Sequence, residues 1–167
     1  MMIRVDIETI IMAAGPVPSI IVLRERGAEG ASDAPLRALS IQTGSYEAAA
    51  VGRGVDGTEG SRPITHDLMV DVIKSLGGKL ERVEIDRVDA PIFYASVVLE
   101  NADGEERHID ARPSDALALA VRTNAPIYVE DDVMNRAGNI SYRTEENEEE
   151  ELERFDKFAR SVSPDDF

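Results

Sequence analysis

The 167-residue chain contains no cysteine, which removes disulfides, thiolate nucleophiles and cysteine–zinc sites together. His66 and His108 are its only histidines, so a histidine-rich metal centre is excluded as well. No segment approaches the roughly 20 uninterrupted apolar residues of a membrane helix. The opening MMIRVDIETIIMAAG carries Arg4, Asp6 and Glu8 where a secretory signal needs its apolar region. A cytoplasmic protein with no membrane partner is therefore expected. Positive charge is also scarce: 18 lysines and arginines stand against 33 acids, for a formal net charge of -15. Polyanions are usually met by a basic footprint, so phosphate binding here would need local arginines or a metal ion. The chain has no Walker lysine pattern, no G-x-S-x-G elbow and no zinc-type histidine spacing. GRGVDG, Gly52 to Gly57, matches a dinucleotide fingerprint only formally, because the required strand and helix are missing from their places; it reads as a flexible loop.

With 43% hydrophobic residues the chain can bury a proper core as one ordinary domain. Part of its charge is local: residues 144–167 hold ten acids against three bases, a local -7 that leaves the rest at -8. Alternating and β-branched runs predict strands at Ile3 to Ile11, Ser19 to Arg24, Arg37 to Gln42, Leu80 to Arg87, Ile92 to Glu100 and Glu106 to Ala111. NADGEE joins the last two as a hairpin turn. THDLMVDVIKSLGG predicts a helix capped by Thr65, burying Leu68, Val72, Ile73 and Leu76, and ended by Gly77-Gly78. A second helix starts in DARPSDALALAV, followed by a short strand-like PIYVE and a helical turn near Asp131 to Asn135.

The two halves look alike, each reading as three strands followed by two helices. SIQTGSYEAAAV (Ser40 to Val51) parallels HIDARPSDALALAV (His108 to Val121), so the expected fold is α+β, a single compact domain with an internal duplication. Glu47 and Asp115 then hold related positions at the first turns of equivalent helices, and those helix ends are expected to lie close together. We divide the chain into this domain, residues 1–137, and an acidic helical tail, residues 138–167. In the tail Leu152, Phe155, Ala159 and Val162 form an apolar stripe beside the i,i+4 pairs Glu150/Arg154, Glu153/Lys157 and Asp156/Arg160. Such a stripe is expected to dock on the chain's own body or on a second copy.

Two polar clusters carry the chemistry: RPITHD, with Arg62, His66 and Asp67, and DARPSD, with Asp110, Arg112, Ser114 and Asp115. Each sets acids and an arginine around the opening turn of a helix. Exposed N–H groups there favour anions, and arginine offers a planar fork to phosphate oxygens. Carboxylates at the same place suit magnesium or manganese, and a histidine can take a proton from water. A purely structural role, with Ser114 or Thr65 capping and the acids complementing helix dipoles or pairing with arginines, uses the same residues. His108, on a strand with no acid directly beside it, reads as structural.

Together RPITHDLMVDVIKSLGG, IFYASVVLE and HIDARPSDALALAVRTNAPIYVEDDVM strongly resemble the bifunctional nuclease family, from about Met2 to Met134. The resemblance implies a compact, commonly self-associating α+β domain, with a dimer favoured, and hydrolysis of phosphodiesters in RNA or DNA. It places recurrent polar positions on Glu47, Arg62, His66, Asp67, Asp110, Arg112, Ser114 and Asp115. With the clusters it suggests Asp67, Asp110 and Asp115, with Glu47, as ligands of Mg or Mn. It further suggests Arg62, Arg112 and Ser114 as substrate-binding residues and His66 as general base. LSIQTG stands where members have LPIWIG, with Ser40 and Gln42 in place of proline and tryptophan, and the loop from Arg24 to Leu36 is long and rich in glycine and alanine. The rival reading is a non-catalytic interaction or regulatory module whose polar clusters hold the fold together.

Overall fold

A computed structural model describes residues 1–27, 35–57, 60 and 62–140. The expected tail helix and most of the loop between Arg24 and Leu36 lie outside these residues.

Two three-strand meanders organise the sheet. Strands β1 (Met2–Ile11), β2 (Ser19–Glu25) and β3 (Arg37–Thr43) form one; β4 (Lys79–Asp89), β5 (Ile92–Glu100) and β6 (Glu106–Ala111) form the other. Both meet at the short strand β7 (Ile127–Glu130), and β8 (Asn139–Ile140) closes on β3, giving the order β6-β5-β4-β7-β1-β2-β3-β8. β7 runs antiparallel to β1 and parallel to β4, so the two meanders point in opposite directions on either side of it. The duplication expected from the sequence is therefore a symmetric placement of β3-β2-β1 and β4-β5-β6.

Each meander leads into a helix, α1 (Ser45–Asp56) after β3 and α3 (Pro113–Thr123) after β6; α2 (Thr65–Ser75) and α4 (Asp131–Ala137) complete the set. Alternation along β2 puts Ser19, Ile21 and Leu23 inside, and β4 adds Val83 and Ile85 to the same core. α3 is the central helix: it touches α1, α2, β4 and β5, and Ala116 through Ala120 are all buried. Its small alanines let neighbours approach from several sides.

Three local expectations need correction. GRGVDG is not a loop: Gly52 to Asp56 continue α1, and Gly57 ends it at φ +62. A Cβ on Gly54 would lie 2.3 Å from Val121 Cγ2, so glycine stands there because α1 crosses α3 closely, not because the chain must bend. The N-cap of α2 is Ile64, not Thr65, and the Asp67 carboxylate in the first turn reaches back to accept the Ile64 N–H at 2.9 Å. Finally, the stripe expected to be buried on α2 is largely open: Leu68, Val72 and Leu76 are 55%, 47% and 76% exposed, while Val70 is buried and Ile73 half-buried. α2 packs on the body mainly through α3 and β4. Periodicity revealed an apolar face without revealing what covers it.

The turn signals behave as read. Gly77 (φ +74) and Gly78 end α2, with the Gly78 N–H donating to the Ile73 carbonyl at 2.9 Å. In the β5–β6 turn the Asn101 side-chain oxygen accepts the N–H groups of Asp103 and Glu105. Among the described residues no helix is long and apolar enough to cross a membrane.

Candidate active site

The crossing of α1 and α3 brings their first turns together, as the duplication implied. Glu47 and Asp115 each occupy the third position of their helix, and Arg112, the N-cap of α3, reaches both. Its Nε donates to Asp115 Oδ2 at 2.8 Å, its Nη2 to Asp115 Oδ1 at 3.2 Å, and its Nη1 to Glu47 Oε1 at 3.2 Å. From α2, His66 Nε2 lies 2.9 Å from the same Asp115 Oδ1. These side chains rim a cleft of about 930 Å³ whose apolar wall includes Met69, Ile73, Leu99 and Ile109, and which Asp110 also lines.

Burial pushes the Asp115 carboxyl up, but the hydrogen bonds from Arg112 and His66 outweigh it and hold the group below the usual aspartate value. It is therefore ionised at neutral pH and can only accept. His66 Nε2 must be the donor of their shared hydrogen bond, which leaves Nδ1 as the nitrogen with a lone pair in the neutral ring. Arg112 remains 63% exposed along its side chain, so N–H groups not used on the two acids face solvent.

A second cleft, of about 540 Å³, lies on the other side of residues 62–67 and is lined by Arg53, Arg62, Asp67 and Arg122. Asp67 belongs here, and both of its oxygens are committed. Oδ2 caps α2, and Oδ1 accepts from Arg122 Nε at 2.7 Å. The Ile64 N–H first, and Arg122 second, hold its pKa below the ordinary value. Arg122 is buried, and donates further to the carbonyls of Ala50 and Ala118 at 2.8 Å each.

The structure thus brings Glu47, His66, Asp110, Arg112 and Asp115 to one cleft and sends Arg62 and Asp67 to the other. Ser114 is 6% exposed within α3 and lines neither cleft. Among the described residues no group of three or more His, Asp or Glu side chains could hold a metal ion. The expected set of Asp67, Asp110, Asp115 and Glu47 is not assembled, because the arginines have claimed Asp67 and Asp115. Asp110 has no hydrogen-bond or ion-pair partner among the described residues, and Glu47 gives one oxygen to Arg112. His108 pairs with Glu106 at 2.8 Å on β6; the guanidinium of Arg82, and then His108, bring Glu106 down to about 2. The sequence reading set no acid directly beside His108; its partner is Glu106, two residues away on the same strand.

Residues 30–141 match the bifunctional nuclease domain. The chain belongs to that family. It is also 38% identical over 154 residues to two Mycobacterium tuberculosis proteins from different strains, named Uncharacterized protein MT1877 and Uncharacterized protein Rv1829; each alignment covers 89% of this chain and 87% of the relative. Of the polar residues that line the first cleft, Tyr46 and Thr65 were not among the site residues the sequence suggested; Tyr46 is 89% exposed. Arg53 and Arg122 were not among those site residues either: Arg53 lies in GRGVDG, which read as a loop, and Arg122 at the far end of α3, and the packing of α1 on α3 brings them to one cleft.

The two clefts predict opposite outcomes for two aspartates. Asp67→Asn strands the buried Arg122 and weakens the cap of α2. The loss should be about 1 to 3 kcal/mol, below the range for a fully buried pair because Asp67 is 41% exposed and water screens it. Asp110→Asn should stay within about 0.5 kcal/mol of the parent. The depressed carboxyls of Asp67 and Asp115 stabilise the fold fully above the ordinary aspartate pKa, and that contribution is lost as pH falls below it. The wild-type advantage over Asp67→Asn should therefore shrink only in that acidic range. Thermal melts of the three proteins from neutral to acidic pH check this; equal melting temperatures at neutral pH would contradict it.

Proposed function

We propose that this chain hydrolyses phosphodiester bonds in RNA or DNA at the first cleft, with His66 as general base. The observation that carries the reading is the His66–Asp115–Arg112 arrangement. A carboxylate fixes the imidazole through Nε2, and an exposed guanidinium on the same carboxylate faces the cleft. His66 Nδ1 takes a proton from the attacking water as its oxygen bonds to phosphorus. The bond from phosphorus to the leaving sugar oxygen breaks, and that oxygen is protonated from solvent. Arg112 offers its remaining N–H groups to the non-bridging oxygens, where charge develops.

A divalent ion fits a narrower set of residues than the sequence suggested. Magnesium commonly keeps several waters and is held by one or two carboxylates together with substrate phosphates. Asp110 and Glu47 both line the cleft and have oxygens to spare, whereas Asp115 and Asp67 do not. When bound there, the ion would neutralise phosphate charge in a cleft that otherwise carries three carboxylates. The non-catalytic reading draws on one specific observation, that Arg112, Asp115, Asp67 and Glu47 are all paired within the protein.

His66→Gln separates the two readings, since the amide can keep the hydrogen bond to Asp115 but cannot act as a base. Cleavage of labelled RNA and DNA oligonucleotides should fall about 100-fold or more, the usual contribution of general base catalysis, with the melting temperature little changed. Equal rates in the two proteins would remove His66 from catalysis. No cleavage by the parent, with or without added magnesium or manganese, would favour the non-catalytic module.

We also propose that the exposed face of α2, formed by Leu68, Met69, Val72 and Leu76, is covered by a second copy of the chain. Contiguous apolar surface of this kind marks an interaction site, and the self-association implied by the family resemblance names the partner. Val72→Glu should convert a dimer to a monomer in size-exclusion chromatography with light scattering. An unchanged mass would rule out this face. Truncation at residue 143 tests the other occupant, since loss of the dimer only in the truncated chain would assign dimerisation to the tail.

A further inference from the structure

The arginines of this acidic chain are nearly all spent on internal partners. Arg24, Arg26, Arg37, Arg82, Arg87, Arg107, Arg112, Arg122 and Arg136 each pair with a carboxylate, and Arg4 stacks over Tyr128 at 5.6 Å. Among the described residues only Arg53 and Arg62 have neither a carboxylate nor a ring partner. Both line the second cleft. Two unpaired guanidiniums lining one groove give it positive charge that an anion would neutralise.

The groove suits a phosphate group in other respects. Gly57 lines it with nothing within 4 Å of where a Cβ would stand, so its wall is open at the end of α1. Among the described residues that line the groove, the other charges are Asp67, Asp71 and Arg122. Asp67 and Arg122 neutralise each other through their 2.7 Å hydrogen bond, leaving Asp71 as the opposing acid and a local excess of positive charge. The first cleft has the reverse balance: Glu47, Asp110 and Asp115 face Arg112 and His66. A polyanion therefore gains more from the second groove than from the cleft where its bond would be cut.

We propose that the Arg53–Arg62 groove binds a backbone phosphate of the nucleic-acid strand whose scissile phosphate lies at His66. Residues 62–67 form the ridge over which the strand passes. This rests on the nuclease reading, and it adds that the chain takes a strand of several nucleotides rather than a dinucleotide. Affinity is supplied by a contact remote from the chemistry, the arrangement that lets binding energy serve the reacting centre.

The test uses the full chain and its Arg53→Gln/Arg62→Gln double variant, whose melting temperature should match the parent because neither guanidinium has an internal partner. Fluorescence anisotropy with a labelled single-stranded oligonucleotide of about 12 nucleotides, a length within the range of known single-strand sites, should show affinity about tenfold weaker in the variant. The slope of log affinity against log salt should be shallower by about 0.7, for the one phosphate no longer neutralised. Equal affinity and slope would overturn the proposal. If the parent binds no oligonucleotide, the nuclease reading fails separately, and inorganic phosphate titrated by NMR then decides the groove. Shifts around Arg53 and Arg62 that vanish in the variant would keep a phosphate site for a free ligand and discard the strand, and no shifts would discard the groove.

Discussion

The close crossing of α1 over α3 is the constraint from which the rest of the molecule follows. With no Cβ at Gly54 to meet Val121, and with alanines along α3, the two helices come near enough for both first turns to share one arginine. That contact converts two equivalent halves of a duplicated fold into one asymmetric site. Each half contributes an acid at the third helical position, but only the second half contributes Arg112. The sheet supports the same geometry by pointing its two meanders in opposite directions around β7.

The electrostatics of the site follow from that arrangement. Arg112 is held by two carboxylates, so the first cleft is no strong anion trap by itself. What it offers is orientation: an ionised Asp115 that fixes His66 by Nε2, and a guanidinium whose position is set before any ligand arrives. Under the proposed reading, attraction falls to Arg53 and Arg62 in the second cleft. The separation answers the difficulty posed by the net charge of -15, since a polyanion needs only a local excess of positive charge along its path.

Much of this was legible in the residues. The strands of both meanders followed from period-two patterning, and the parallel between SIQTGSYEAAAV and HIDARPSDALALAV placed Glu47 opposite Asp115 before any coordinate was known. The failures have specific causes. Gly52 to Gly57 read as a loop because glycine carries one local signal, conformational freedom, while its use here is steric and depends on a helix more than 60 residues away. The four acids were grouped because sequence shows charges without their partners; three of them share the first cleft and Asp67 lies in the second. Arg122, which claims Asp67, lies 55 residues from it. The apolar face of α2 was found and wrongly placed inside, since a 3.6-residue period is the same whether a sheet or another molecule covers it.

The central claim is that Asp115 holds His66 in one tautomer, with Nδ1 left to act as base. With only two histidines in the chain, nitrogen-15 NMR of the imidazole rings addresses it directly. At neutral pH the neutral form of His66 should show a protonated Nε2 and an unprotonated Nδ1. An Asp115→Asn variant should shift the His66 resonances strongly and leave those of His108 in place. A His66 spectrum averaged between tautomers and indifferent to Asp115→Asn would contradict the account.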